Sequence, residues 1–288
     1  MDPEGAAHLS RRSLLAGTGL TALPRAADAS SGRPKVIDVH EHLSHHSRAD
    51  WQESDRRFID NCEKLGIDQV WCSILTPRRP ATPDGFRECN QWVYDAMRRF
   101  PGRVSGYAFV NPGFVPEALS EVRRCVEDRG FIGIKLYNDY LVSEPVACPL
   151  IELSIELRVP ILHHAGHPSW LDHPQPRISD GAAFAEVAQR YPEAAIICAH
   201  ICGGGDWEWE IKALRNAPSI YLDTSGSVAD EGTVEMAVQV LGADRVLFAC
   251  DTSLTASVGR MRSANLTQPD KEKIMGLNAQ RILDRRGK

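Results

Sequence analysis

The chain has 288 residues, of which 43% are apolar and 25% charged, with a net charge of −5. It holds no run of about 18 apolar residues, which excludes a membrane-spanning helix, and net acidity without a long Lys/Arg run argues against nucleic acid as the main partner. Eight cysteines are scattered without a C-x-x-C pair, so neither a zinc ribbon nor a disulfide framework is indicated.

Residues 1–29 read differently from the rest. Arg11-Arg12 opens a modest apolar run that ends near Leu23, and Ala27-Asp28-Ala29 supplies a small-residue cleavage site. This order predicts an export signal of the twin-arginine type and a periplasmic or secreted protein. The alternative is a disordered tail on a cytoplasmic protein. A protein exported already folded can carry a metal loaded in the cytoplasm and needs no disulfides.

From Lys35 onward short β-branched or aromatic runs alternate with longer amphipathic ones. The strand-like runs are 36–40, 69–75, 104–110, 131–137, 160–165, 195–200, 219–224 and 245–251. Between and after them lie helical patterns at 53–65, 87–99, 116–129, 145–158, 180–190, 206–216, 230–241 and 269–284. Asp180, Asp206 and Asp230 are placed to cap three of these helices. Strand starts 24 to 35 residues apart fit strand–helix units in a parallel sheet. Eight such units predict a single (β/α)8 TIM barrel over residues 30–288, for which about 250 residues is typical. A doubly wound sheet would more often show a Gly-rich fingerprint after its first strand, and none is present.

Of the ten histidines, all but His8 fall at the end of the first, fifth or sixth strand or in the loop that follows. They are His40, His42, His45, His46, His163, His164, His167, His173 and His200. In a barrel these positions lie on the C-terminal face, where active sites are built. Strand alternation puts His40 and His42 on one face together with Asp38, away from Ile37 and Val39. An H-x-H pair at a strand end grips a divalent ion compactly, although alone it is a weak motif.

In the fourth strand, Ile132, Ile134 and Leu136 form the outer face, so Lys135 points into the lumen beside Gly133 and Tyr137. A lysine buried there is costly unless paired or modified. His200 ends the sixth strand in phase with Ile196 and Cys198. Asp251 ends the eighth, with Leu247 and Ala249 inward and Val246 and Phe248 outward. A carboxylate facing several imidazoles completes a ligand set for a divalent metal. Parity alone leaves His163 and His164 as equal candidates.

Asp38-Val39-His40-Glu41-His42, Gly133-Ile134-Lys135-Leu136, His164-Ala165-Gly166, Ala199-His200 and Cys250-Asp251 together resemble the amidohydrolase superfamily. The closer likeness is to its amidohydrolase-related branch of lactone hydrolases and aminocarboxymuconate-semialdehyde-type decarboxylases. It spans roughly residues 35–284 and includes the closing Lys271–Leu283 stretch. The resemblance implies His40, His42, His164 and Asp251 as metal ligands, with zinc first and manganese or iron as alternatives. It implies Asp251 and His200 as catalytic groups. Lys135 and His200 would serve a second metal or the substrate. Ala249-Cys250-Asp251-Thr252-Ser253 departs from the family's usual Gly-Ser/Thr-Asp ending, which bears on the shape of that loop.

The main functional expectation is a metal-dependent hydrolase that attacks a small lactone, ester or amide with metal-activated water. The alternative is a metal-dependent non-oxidative decarboxylase of a small aromatic or enol carboxylate. A third reading is a barrel that binds metal or ligand without turnover. Tyr137, His167 and Arg78 are candidate substrate contacts, and Arg79, Arg177 and Arg260 are further candidates for clamping a carboxylate. Asp223 ends a strand and serves either substrate or structure. The Gly203-Gly204-Gly205-Asp206 run reads as a tight turn before a helix, and Cys250 as packing. The expected partner is a small-molecule substrate, with no stable membrane anchor; a homodimer is common for such barrels.

Overall fold

The computed structural model describes residues 32–76, 81–166, 177–201, 206–226 and 230–287. The expected export signal, Arg78, Arg79, His167, His173 and the Gly203–Gly205 run lie outside the described residues. From Pro34 onward the chain forms one compact unit.

Eight strands build one sheet in sequence order, every neighbouring pair parallel. They are β1 (Ile37–His42), β2 (Gln69–Ser73), β3 (Val104–Phe109), β4 (Gly133–Leu136), β5 (Ile161–His163), β6 (Ile196–Cys198), β7 (Ile220–Asp223) and β8 (Val246–Leu247). Backbone hydrogen bonds from Val39 N to Phe248 O (3.0 Å) and from Asp251 N to His40 O (2.8 Å) bring the last strand back to the first. The result is a nearly closed barrel with helices outside it, consistent with the TIM barrel expected from the alternation of runs.

The helices are α1 (Trp51–Leu65), α2 (Pro83–Arg99), α3 (Val115–Arg123), α4 (Cys148–Leu157), α5 (Gly181–Arg190), α6 (Trp207–Ala213), α7 (Thr233–Leu241), α8 (Leu254–Ser263), α9 (Gln268–Glu272) and α10 (Asn278–Leu283). Each predicted run has its counterpart. The sequence reading missed α8, a short helix with a weak apolar stripe that follows the β8 loop directly. Of the three expected caps, only Asp180 performs the role, accepting from Ala182 N and Ala183 N. Asp206 makes no side-chain cap bond, and Asp230 instead accepts from Trp207 Nε1 at 2.8 Å.

Two apolar layers follow from the strand alternation. Ile37, Val39, Trp71, Tyr107, Leu162, Ile197, Leu247 and Ala249 fill the lumen, and Ala279 and Ile282 of α10 join this cluster. The alternate strand residues, Val70, Ile134, Leu136, Ile196, Cys198, Val246 and Phe248 among them, pack against the helices. Each fully buried aliphatic or aromatic side chain of this kind contributes about 1.5–3 kcal/mol. Gly133 is required where it stands, because a Cβ there would lie 2.6 Å from Pro160 O and 2.9 Å from the Tyr107 ring. Ile132 is a correction to the expected outer face: it precedes β4 and joins the inner cluster.

Among the described residues no helix is long and apolar enough to cross a membrane. The seven described cysteines are all free.

Candidate active site

Regular alternation would set Asp38, His40 and His42 on one face, but β1 is irregular. Its register against β2 shifts between Asp38 and Glu41. Ile37 and Val39 therefore face the lumen while Asp38 turns to the helix side, and His40 and His42 still reach the mouth. The expected common face of Asp38 with the two histidines is thus corrected.

A similar break acts at the end of β6. Ala199 faces the lumen and Cys198 the helices, where its thiol meets Glu210 at 3.1 Å. His200 is consequently out of phase with Cys198, contrary to the sequence reading. Its left-handed backbone (φ 67°) interrupts the alternation and keeps it in the mouth. Asp251 (φ 43°) and Thr252 (φ 70°) form the same kind of turn after β8. Non-glycine residues held this way cost roughly 1–3 kcal/mol each and persist only where the surroundings fix them.

The mouth brings together His40, His42, Lys135, His164, His200, Asp223 and Asp251. Asp251 Oδ1 lies 3.3 Å from His42 Nε2 and 3.9 Å from His40 Nε2, and its Oδ2 lies 3.5 Å from His200 Nδ1. His200 Nε2 lies 2.9 Å from His164 Nδ1, and the Tyr137 ring stacks on His164 at 4.2 Å. His163 takes the other direction, edge-on to Phe184 of α5, its Nδ1 donating to His164 O at 2.7 Å. Of the two neighbours it is His164 that faces the other imidazoles.

Hydrogen bonds on the far side of each ring support the metal-binding tautomers. His40 Nδ1 donates to Asp223 Oδ2 (2.9 Å), and His42 Nδ1 lies 3.3 Å from Ser73 O and 3.2 Å from Ser73 Oγ. With Nδ1 protonated, both rings present the Nε2 lone pair to the Asp251 carboxylate. The ligand atoms of His40, His42 and Asp251 all lie within 4.8 Å of one another. Three electron-rich atoms aimed at one point repel unless a cation lies among them, and imidazole backed by a carboxylate is the usual metal-binding arrangement. The donor set therefore fits a divalent metal. Lys135 Nζ approaches His40 Nε2 at 2.8 Å from the opposite wall.

The electrostatics agree. Burial, reinforced by the Lys135 charge, lowers His40 to about 3, so its ring is neutral at any ordinary pH. Burial also lowers His164 and His200. Burial pushes Asp223 upward, yet its contacts with His40 outweigh it and hold the carboxylate at about 2. Asp251 is likewise held well below the carboxylate range: its burial is overridden first by His40, then by its contacts with His42 and His200. Asp223 also accepts from His200 N (2.9 Å) and Ser225 Oγ (2.6 Å), so it joins the two histidines' supports. The sequence showed it only as a strand-end acid.

The remaining described candidates have partners of their own. Arg177 pairs with Glu144 and stacks on Tyr140. Arg260 donates to Thr224 O and Gly226 O. His46 stacks against Trp51 and Trp92, and His45 meets Trp92 edge-on. Cys250 is buried against Asp38, as packing would have it.

The chain is similar to several known proteins. The gamma-resorcylate decarboxylase of Polaromonas sp. is 25% identical over 300 residues, covering 81% of this chain and 90% of the relative. The 2,6-dihydroxybenzoate decarboxylase from Rhizobium superposes with a TM-score of 0.72 at 18% identity, over 87% of this chain and 99% of that one. A dihydroxybenzoic acid decarboxylase from Polaromonas sp., solved with manganese and 2-nitroresorcinol, gives 0.69 at 20% identity over 87% and 97%. These structural likenesses concern the fold. A model of the family described as Amidohydrolase matches residues 37–285, nearly the whole barrel, and on that match the chain belongs to the amidohydrolase family.

Proposed function

We propose that this protein is a metal-dependent, non-oxidative decarboxylase of a small hydroxylated aromatic carboxylate. The observation that carries the reading is the likeness to a decarboxylase over 81% of this chain and 90% of the relative. A mouth whose donor groups suit a divalent cation supports it. Hydrolysis of a lactone, ester or amide, the main expectation from sequence, uses nearly the same residues and has the weaker support. Manganese, carried by one of the similar structures, is as suitable as zinc.

His40, His42, Asp251 and, from the end of β5, His164 would hold the metal. A bound divalent ion would supply Lewis acidity toward a substrate oxygen. The chain's own groups do the rest. Tyr137, stacked on His164, offers a flat wall to an aromatic ring. Lys135 brings positive charge to the mouth for an anionic substrate group. When the carbon–carbon bond breaks, CO2 leaves and its electron pair stays on the ring carbon, which must take a proton. Asp251 draws that proton from solvent and delivers it to the carbon, with His200 3.5 Å away holding the carboxyl in line. Arg78 and His167, outside the described residues, keep their proposed roles as substrate contacts.

The test is a paired assay on protein loaded with manganese. CO2 release from 2,6-dihydroxybenzoate and related hydroxybenzoates is expected, with loss of both metal and turnover in His42→Ala. Lactone hydrolysis without any decarboxylation would overturn the proposal in favour of the hydrolase.

A further inference from the structure

Two acids that take no part in this chemistry lie on the helix side of β1. Asp38 is fully buried and Glu41 is 1% exposed. Asp38 Oδ1 accepts from His40 N and from Cys250 N, both at 3.1 Å. Glu41 Oε2 accepts from His42 N at 3.3 Å and from Thr252 N at 3.1 Å. Each carboxyl thus binds one amide of β1 and one of the segment after β8. The other oxygens, Asp38 Oδ2 and Glu41 Oε1, are buried without a hydrogen-bond partner.

The placement of these four amides is what matters. His40 and His42 are two of the proposed ligands, and Cys250 and Thr252 flank the third, Asp251. The seam between β1 and β8 carries two backbone bonds, Val39 N to Phe248 O and Asp251 N to His40 O. The carboxyl contacts alternate with them along the seam: Phe248 to Val39, Cys250 to Asp38, Asp251 to His40, Thr252 to Glu41. At the β1 irregularity side-chain oxygens stand in for ladder acceptors. Glu41 also satisfies the amide of Thr252, whose left-handed backbone is unfavourable for a β-branched residue.

We infer that Asp38 and Glu41 form a carboxyl clamp across the β1–β8 seam, positioning His40, His42 and Asp251 so that their donor atoms converge. The clamp rests on the reading of those three residues as ligands. Its two acids are positioning residues, which act through the backbone of the ligands and never touch substrate.

The experiment compares Glu41→Gln with Glu41→Met, two side chains of similar length that differ in hydrogen-bonding capacity. Manganese is titrated into metal-free full-length protein, and far-ultraviolet circular dichroism checks the fold. Gln keeps an acceptor for the two amides, so its manganese dissociation constant is expected within about threefold of wild type. Met keeps only the volume, and its affinity is expected to fall roughly 10–100-fold, the range for groups that orient metal ligands. Equal affinity in wild type, Gln and Met would overturn the clamp, and so would equal loss in Gln and Met. A second manganese equivalent lost in Glu41→Gln would make the cluster a cation site and overturn it too. Wild-type protein that binds no manganese defeats the ligand reading itself, a different result from any of these. Should Glu41→Met not fold, hydrogen exchange on metal-free wild type decides: the amides of His40, His42, Cys250 and Thr252 are expected to be protected, and fast exchange at 42 and 252 overturns the clamp.

Discussion

Lys135 sits fully buried on β4, its ammonium 2.8 Å from the lone pair of His40 Nε2. That lone pair is also the one a metal needs, so ammonium and metal compete for it, and their charges repel. Lys135→Met is therefore expected to keep one metal equivalent and bind it several-fold more tightly, by isothermal titration of metal-free protein. Loss of an equivalent would show that Lys135 itself, in carboxylated form, belongs to the ligand set. The sequence made this residue legible because its neighbours alternate cleanly: Ile134 and Leu136 pack outward, so Lys135 must face in. Asp223 was less legible. Its role comes from a contact with His40, 183 positions away, and no local pattern announces such a pairing.

The limits of alternation are clearest at the level of single strands. In β4 and β8 the rule of two holds, and it put Lys135, Leu247 and Ala249 on the correct side. It failed at Asp38 and at Cys198, because β1 is irregular and His200 takes a left-handed backbone; neither feature leaves a mark in residue type, since no glycine stands there. Behind β6 lies a consequence that can be measured. Glu210 of α6 is buried, its recorded partner being the Cys198 thiol, and burial raises its carboxyl to about 8. The folded state therefore holds a proton that the unfolded chain gives up near its ordinary value of 4.5. Stability from this group is fully present below that value and is lost progressively as pH rises toward 8. Glu210→Gln removes the loss. Its melting temperature should lie within two or three degrees of wild type near pH 5 and exceed it by roughly 10 °C at pH 8.5, corresponding to about 4 kcal/mol. A constant offset across that range would mean that Glu210 does not titrate there.

At the scale of the barrel, three of the four proposed ligands come from its two chain-distant ends, which meet at one seam. His40 and His42 belong to β1, while Asp251 follows β8. Eight strand–helix units were readable from spacing alone, because each is a local pattern; the closing of the last strand on the first is not local, and depends on bonds between residues more than two hundred positions apart. A cation held by all three ligands would cross-link that seam and bind only the folded chain. By mass action a ligand at a hundred times its dissociation constant adds about 2.7 kcal/mol. For a domain of this size that is a rise in melting temperature of roughly 5–10 °C. Manganese at this excess should give such a shift over the chelated protein, growing with the logarithm of its concentration. His42→Ala, which keeps the barrel but removes one ligand, should lose most of it. A shift of equal size in wild type and His42→Ala would mean that the ion stabilises from somewhere other than the seam, and the ligand set would have to be sought elsewhere.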